Sequence, residues 1–135
     1  MSIGTTSFGK GSVQTVIALP NEGELVLTWA RFHAPSGYPL QDLGISPTIC
    51  TSGSTQTAAQ IVEAARTGRM TSPAAMAAWR AADHSNPERM KELRQICPPD
   101  SRESDLDLQV AREILADRVL FARALSVSSQ AAQAR

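Results

Sequence analysis

The 135-residue chain lacks the features that mark several large classes of protein. Its 13 Lys and Arg balance 13 Asp and Glu, and this argues against a nucleic-acid or anionic-membrane partner, because either would require a basic face. No apolar run approaches the roughly 18 residues of a transmembrane helix. The two histidines and two cysteines show no metal-site spacing. We therefore expect no nucleic acid, no membrane span, no metal and no other cofactor.

The N-terminus also lacks the basic start and apolar stretch of a secretion signal, so the chain taken alone is expected in the cytoplasm. Its length is that of one domain and is sufficient for a hydrophobic core.

Charge is almost absent from the beginning of the chain. Between Met1 and Asn21 the only charged side chain is that of Lys10, which lies between Gly9 and Gly11. A partly buried lysine with no nearby carboxylate loses its proton more readily, and a neutral amine can act as a general base. We therefore expect Lys10 to be partly buried and without an ion pair. The alternatives are a surface lysine in a glycine-rich turn and a phosphate clamp, although the P-loop spacing GxxxxGK[ST] is not met.

The segment Ser7-Phe8-Gly9-Lys10-Gly11-Ser12-Val13-Gln14 resembles the lysine motif of the C-terminal-processing (tail-specific) serine peptidases. The resemblance continues, in order, over residues 3–49. The further motifs are Leu19-Pro20-Asn21, Leu25-Val26-Leu27-Thr28, Ala30-Arg31-Phe32, Ala34-Pro35-Ser36-Gly37 and Gly44-Ile45-Ser46-Pro47. In that family a lysine activates a serine nucleophile, and a glutamine four residues later helps to orient it. The resemblance therefore implies a catalytic Lys10 and an orienting Gln14.

The resemblance also implies what is missing. The family's nucleophilic serine lies on a helix well upstream of the lysine, whereas nine residues precede Lys10 here, and the usual PDZ domain has no counterpart. Ser7 and Ser12 are too close to Lys10 along an extended chain to replace that serine. We therefore expect the C-terminal portion of a tail-specific serine endopeptidase with a Ser-Lys(-Gln) mechanism, inactive alone. The alternative is a catalytically silent, truncated protein that acts as a helical protein-interaction module.

The family implies partners and a compartment as well. Its substrates are polypeptides, in the intact family the C-terminal tails of proteins. This chain would pack on the missing core or associate with itself. An intact member would be periplasmic or otherwise extracytoplasmic.

The fold class that we predict is α+β. Period-two alternation over Val13–Leu19 and a second apolar run over Glu24–Phe32 predict a β-hairpin, with Gly23 available for positive φ in the turn. On the first strand Lys10 and Gln14 would share a face. One or two short extra strands are expected, one of them within residues 47–50. The resemblance implies that these strands belong to a ClpP/crotonase-like peptidase core.

Both faces of the hairpin are largely apolar, so we expect cover on two sides, with Trp29 in the core. His33 and His84 have no triad partners in the sequence and are interpreted as surface or capping residues. Ser36 is interpreted as a turn residue rather than a nucleophile.

About four helices are predicted after the strands. Thr55 or Thr57 can cap the first helix, which Gly68 would end. Ser72-Pro73 and Asn86-Pro87 each resemble a cap followed by proline. The longest helix is expected over residues 105–125 as one amphipathic element. Its buried stripe would consist of Val110, Ile114, Phe121 and Leu125.

These patterns divide the chain into residues 1–50, the C-terminal part of a Ser-Lys peptidase core, a linker at residues 51–57, and a helical C-terminal extension at residues 58–135. Cys50 and Cys97 each lie at the end of a predicted element. In an oxidising compartment they could pair, which would stabilise the fold by roughly 4 kcal/mol. In the cytoplasm they would stay reduced.

Overall fold

The computed structural model of the protein describes residues 1–35, 37–53, 55–69, 73–101 and 105–133. Within these residues, strands come first and helices follow, so the predicted α+β class is confirmed. The elements in chain order are β1 Ile3–Gly4, β2 Ser12–Ala18, β3 Glu24–Arg31, β4 Ile49–Cys50, α1 Ala58–Arg66, α2 Pro73–Arg80, α3 Pro87–Arg94, α4 Leu106–Ala116 and α5 Arg118–Gln133.

The predicted hairpin is the antiparallel pair of β2 and β3. Its register shifts by one residue after the Val13–Ala30 pair, so that Trp29 is the additional residue of a β-bulge. In the turn, Leu19 N donates to Gly23 O at 2.8 Å. Glu22, with φ 62°, takes the positive φ that was predicted for Gly23, so that detail of the prediction is wrong.

The hairpin does not receive the cover that its apolar composition predicts. Val16 and Val26 on one face are 57% and 53% exposed, and on the other face Trp29 is 66% exposed. The prediction that Trp29 lies in the core is therefore wrong. The physical reason is that the helices of this chain pack on β1, on β4 and on one another, while β2 and β3 pack chiefly on each other.

The main hydrophobic core joins the short strands to the helices. β1 and β4 pair in parallel, with Ile3 opposite Ile49. Ile49 is buried beside α1, α4 and α5. The buried members of this cluster are Ile49, Ala58, Ile61, Val62, Ala65, Val110, Ile114, Leu120 and Ala124.

A second, smaller cluster lies farther along the chain. Leu43 from the segment after the hairpin packs with Trp79 of α2 and with Met90 and Leu93 of α3. The Cys50–Cys97 disulfide, with 5.7 Å between the two Cα atoms, links β4 to the segment after α3. The helical extension is thus attached to the strand segment by two apolar clusters and one covalent bond.

The helix ends follow the local signals in the sequence. Thr57 caps α1 in a capping box with Gln60, and Gly68, at φ 90°, follows its C-terminus. Asn86 caps α3 through Arg89 N at 3.1 Å, with proline in the first turn. These predictions are confirmed, whereas the predicted cap at Ser72 lies outside the described residues.

The last predicted helix is interrupted, so the expectation of one helix over residues 105–125 is wrong. Asp117 leaves the helical conformation, and its Oδ1 accepts from the backbone N–H groups of Val119 and Leu120 at 3.1 and 3.0 Å. The carboxylate thereby caps a new helix, because it satisfies donors that lack an intrahelical partner.

This break rotates the apolar stripe between α4 and α5. Val110 and Ile114 are fully buried, as predicted. In α5, however, Leu120 and Ala124 are buried, whereas Leu125 is 42% exposed and Phe121 is half-buried. Among the described residues, no helix is long and apolar enough to cross a membrane.

Candidate active site

The candidate site is built on a loop that we call the lysine loop, Ser7–Gly11, which immediately precedes β2. It runs alongside a second segment, Leu40–Ile45, which we call the support segment. Ser7 N donates to Ile45 O at 3.1 Å, and Asp42 N donates to Gly9 O at 2.8 Å. Two backbone hydrogen bonds in opposite directions therefore hold the two segments together.

Side chains add to this pairing at both ends of the lysine loop. Ile45 N donates to Ser7 Oγ at 2.9 Å, and Gly11 N donates to Gln41 Oε1 at 3.1 Å. Phe32 N also donates to Gly11 O at 2.7 Å, which joins the loop to the end of β3. The backbone on both sides of Lys10 is thus fixed by non-local contacts.

Two glycines allow the segments to approach this closely. Gly9 has φ 85° and Gly44 has φ 77°, conformations that residues with a Cβ rarely adopt. A Cβ placed on Gly9 would lie 2.9 Å from Gly44 N, and one placed on Gly44 would collide with Ser7 O. Gly9 beside the lysine and Gly44 in the support segment therefore serve close packing as well as backbone geometry.

Lys10 itself is exposed, so the expectation that it is partly buried is wrong. The physical reason is that the non-local contacts of the loop are made by its backbone and by Ser7, and they leave the Lys10 side chain exposed. Within the described part of the chain, no ion pair joins the Lys10 amine to a carboxylate.

Gln14 lies on β2 opposite Thr28 of β3. Its Nε2 donates to Thr28 Oγ1 at 3.0 Å, so in this chain the amide is held by a cross-strand neighbour. Lys10 precedes the first residue of β2, Ser12, and is not part of the strand. That Lys10 and Gln14 face a common nucleophile stays a prediction.

The other candidate residues do not converge on Lys10. Ser7 Oγ is occupied by the Ile45 amide, and Ser12 lies on β2 opposite Arg31. His33 is exposed and forms an isolated bridge with Pro39, whereas His84 is half-buried between α2 and α3. Ser36 lies outside the described residues.

Sequence reasoning missed the residues that hold the support segment. Trp79 Nε1 and Tyr38 Oη both donate to the carbonyl of Gly44, at 3.3 and 3.5 Å. Burial raises the pKa of Tyr38, although Arg80 and Trp79 oppose this effect, so the phenol stays a donor. The Trp79 contact joins residues 35 positions apart, and the Tyr38 contact lies within an irregular segment, so periodicity and motif spacing gave no signal for either.

No group of three or more potential metal ligands is found among the residues that the structure describes.

Comparison with known proteins places these residues in a family context. Residues 1–51 match the family model of peptidase family S41. A carboxy-terminal-processing protease of Bartonella bacilliformis is 57% identical over 47 residues, which cover 35% of this chain and 11% of the relative. A chloroplastic C-terminal processing peptidase of Tetradesmus obliquus is 37% identical over 46 residues, 34% of this chain and 10% of that protein.

A third relative extends slightly farther. Carboxyl-terminal-processing peptidase 3 of Arabidopsis thaliana, also chloroplastic, is 35% identical over 63 residues, which are 45% of this chain and 12% of the relative. The matched part of this chain thus spans about a tenth of the length of each of these curated relatives, from 10% to 12%. No solved structure is significantly similar to the chain. The lysine loop, the hairpin and β4 all lie inside the matched residues, and residues 1–51 are thus similar to a segment of peptidase family S41 and to the C-terminal-processing proteases.

Proposed function

We propose that this chain supplies the lysine part of a tail-specific serine endopeptidase site. In this proposal Lys10 is the general base, Gln14 helps to orient it, and the nucleophilic serine is not among the residues of this chain. The chain alone is then inactive, and its substrates in an assembled enzyme are unstructured C-terminal tails of polypeptides. Residues 1–50 are the peptidase-core part, residues 51–57 the linker and residues 58–135 the helical extension.

The observation that carries the proposal is the state of the Lys10 amine. The backbone on both sides of Lys10 is held by the support segment, whereas the lysine side chain is exposed and forms no ion pair within the described residues. A group presented in this way is available to a nucleophile brought by another segment. Burial by that segment would lower the lysine's affinity for a proton, as a general base requires.

The disulfide favours a location outside the reducing cytoplasm. Disulfides persist in oxidising compartments and are rare among cytosolic proteins. The Cys50–Cys97 pair thus supports the extracytoplasmic setting that the resemblance implies.

The isolated chain provides the first test. We expect no hydrolysis of an unstructured peptide substrate and no labelling of any serine by a fluorophosphonate. Hydrolysis that disappears after a Ser→Ala change within this chain would contradict the proposal, because it would identify a nucleophile here.

A chimera tests the role of Lys10 directly. The matching segment of the Bartonella relative is replaced by the corresponding residues of this chain, which are 57% identical. Lys10→Met should lower kcat by about 10²–10⁴-fold, the range that a general base contributes. Glu24→Gln, an exposed change at the start of β3, is the control and should leave kcat unchanged. An active Lys10→Met chimera would refute the general-base role.

The second candidate function is an interaction module without catalysis. It is favoured by the exposed apolar side chains of the hairpin and of the helices, among them Trp29 at 66% and Val119 at 80% exposure. Exposed apolar surface of this kind marks interaction sites. The chimera separates the two functions, because a pure interaction module would give no lysine-dependent activity.

A further inference from the structure

Arg94 of α3 reaches from the helical extension into the candidate site. Its Nη1 donates to Leu43 O at 2.7 Å and lies 3.3 Å from Ser7 O and 3.4 Å from Asp42 O. One acceptor belongs to the lysine loop and two belong to the support segment. A single guanidinium nitrogen therefore bridges the two segments that fix Lys10.

The guanidinium also lies beside the residue that precedes Lys10. A Cβ placed on Gly9 would be 3.2 Å from Arg94 Nη1, which means that the cation occupies the space next to the Gly9 backbone. Within the described residues, Arg94 has no carboxylate at salt-bridge distance, and its hydrogen bonds go to backbone carbonyls. The donor of this bridge is a guanidinium, which has five N–H groups and no acceptor.

The part of α3 that carries Arg94 is firmly anchored. Leu93 is buried in the cluster with Leu43 and Trp79, and three residues after Arg94 the chain is bonded to β4 through Cys97. The hydrogen bonds of Arg94 therefore act from a fixed position. A charged donor also forms a stronger hydrogen bond to a carbonyl than a neutral donor does.

We propose that Arg94 is a positioning residue for the Lys10 amine, through which the helical extension sets the geometry of the lysine loop. This inference rests on the proposed function for its catalytic meaning. Arg94 lies outside residues 1–51, the part that matches the peptidase family, so this role is assigned from the contacts of this chain alone. The extension thereby becomes part of the site.

The test uses the full chain and needs no activity. The chain contains two lysines, Lys10 and Lys91, so reductive methylation with ¹³C-formaldehyde labels Lys10, an internal reference on α3, and the N-terminal amine. The variants are Arg94→Gln, Arg94→Lys and the control Arg89→Gln, which removes an exposed arginine of the same helix that bonds Glu92. NMR then reports the labelled amines and the hydrogen exchange of individual amides.

In Arg94→Gln we expect the amides of Ser7 and Asp42, which cross between the two segments, to exchange at least about tenfold faster. The Lys10 methyl signal should shift, while that of Lys91 stays in place. Arg94→Lys should recover part of the protection, since an ammonium can donate to the same carbonyls, and Arg89→Gln should change neither readout.

Unchanged Ser7 and Asp42 exchange in Arg94→Gln would overturn the inference, as would an equal increase at all amides, which would indicate general destabilisation. If Arg94→Gln does not fold, Arg94→Lys decides by the same two readouts, with a local change at Ser7, Asp42 and Lys10 expected. The chimera keeps the two proposals separate. An active Lys10→Met chimera would refute the general base, whereas the exchange data would still decide whether Arg94 fixes the loop.

Discussion

The peptide group of Gly44 is crowded on two sides. Its carbonyl accepts from Trp79 and Tyr38, and its Cα faces Ser7 O with no space for a side chain. One residue thus joins the lysine loop, the support segment and α2.

Gly44→Ala should therefore destabilise the protein more than a left-handed φ alone explains. The strain at positive φ costs roughly 1–2 kcal/mol, and the collision with Ser7 O adds an overpacking cost of about 1–3 kcal/mol. Chemical denaturation measures the loss. Gly37→Ala is the matched control, because Gly37 has φ 92° but no atom within 4 Å of an added Cβ. Equal losses in the two variants would show that the close contact contributes nothing.

At the scale of single residues, the sequence indicated Lys10 and Gln14 through their motif and their spacing. It could not indicate that Lys10 is exposed, because the exposure of a loop residue depends on segments far away in the chain. The isolated charge of Lys10 led to an expectation of burial, but the structure leaves that side chain uncovered. Gln41 and Arg94 gave no signal, since each acts through contacts at least 30 positions away in sequence.

At the scale of elements, the interruption at Asp117 separates α4 from α5. Two backbone N–H groups and Arg66, at 2.9 Å, bind its carboxylate. The hydrogen bond from Leu120 N is the main cause that holds the pKa of Asp117 below its ordinary value, with Arg66 and Val119 N acting in the same direction against some desolvation. The charged form is thus the one that the fold stabilises.

Asp117→Ala should lower the melting temperature at neutral pH. A carboxyl whose pKa is lower in the folded state contributes stability above its unfolded value of about 3.9 and loses that contribution as pH falls through the folded value. The difference in melting temperature from the wild type should therefore shrink below about pH 4. Melting temperatures of the wild type and the variant, measured in a series of buffers from pH 7 down to below pH 4, check both points.

Asp105 supplies the control for this prediction. It is the N-cap residue of α4, but its side chain makes no capping hydrogen bond. Asp105→Ala should leave the melting temperature nearly unchanged both at neutral pH and below about pH 4. A loss as large as that of Asp117→Ala would mean that general charge, rather than the cap, explains the effect.

Helix boundaries were predictable where an N-cap residue, or a glycine after the C-terminus, is the one signal that marks the end of the helix. Thr57, Asn86 and Gly68 are of this kind, and the structure uses each as predicted. Asp117 is an equally suitable cap, yet the apolar residues on both sides continue with helical spacing, so the pattern favoured one long helix. Tertiary packing decides in favour of two helices, because the break at Asp117 allows Leu120 and Ala124 to join the main core.

At the scale of the whole molecule, the disulfide connects the strand segment to the helical extension. The two cysteines are 47 positions apart, and the chain-entropy relation gives roughly 4 kcal/mol for closing such a loop. We expect reduction to lower the free energy of unfolding by about this amount. Urea denaturation of the oxidised and reduced wild-type chain measures the difference.

This comparison keeps every side chain in place. It is preferable to replacing Cys97, which is fully buried, since a substitution would also change the packing. A denaturation midpoint that is unchanged by reduction would show that the apolar clusters alone hold the extension on the strands.

The overall α+β organisation was predictable because alternation, helical spacing and turn residues all agree along the chain. The pairing of the cysteines was not, since the sequence left both oxidation states open and their proximity depends on the fold. The lack of cover on the hairpin could not be predicted from the sequence either. An apolar pattern predicts that a surface is to be buried, but it does not indicate which polypeptide buries it.

The disulfide also decides what a cut in the backbone does to this protein. Helices α1, α2 and α3 all lie between Cys50 and Cys97, in a closed covalent ring. A peptidase that cleaves within the exposed residues 55–57 opens this ring without dividing the molecule. The lysine loop and Arg94 then remain parts of one covalent unit, and the two pieces separate on a gel only after a reductant is added.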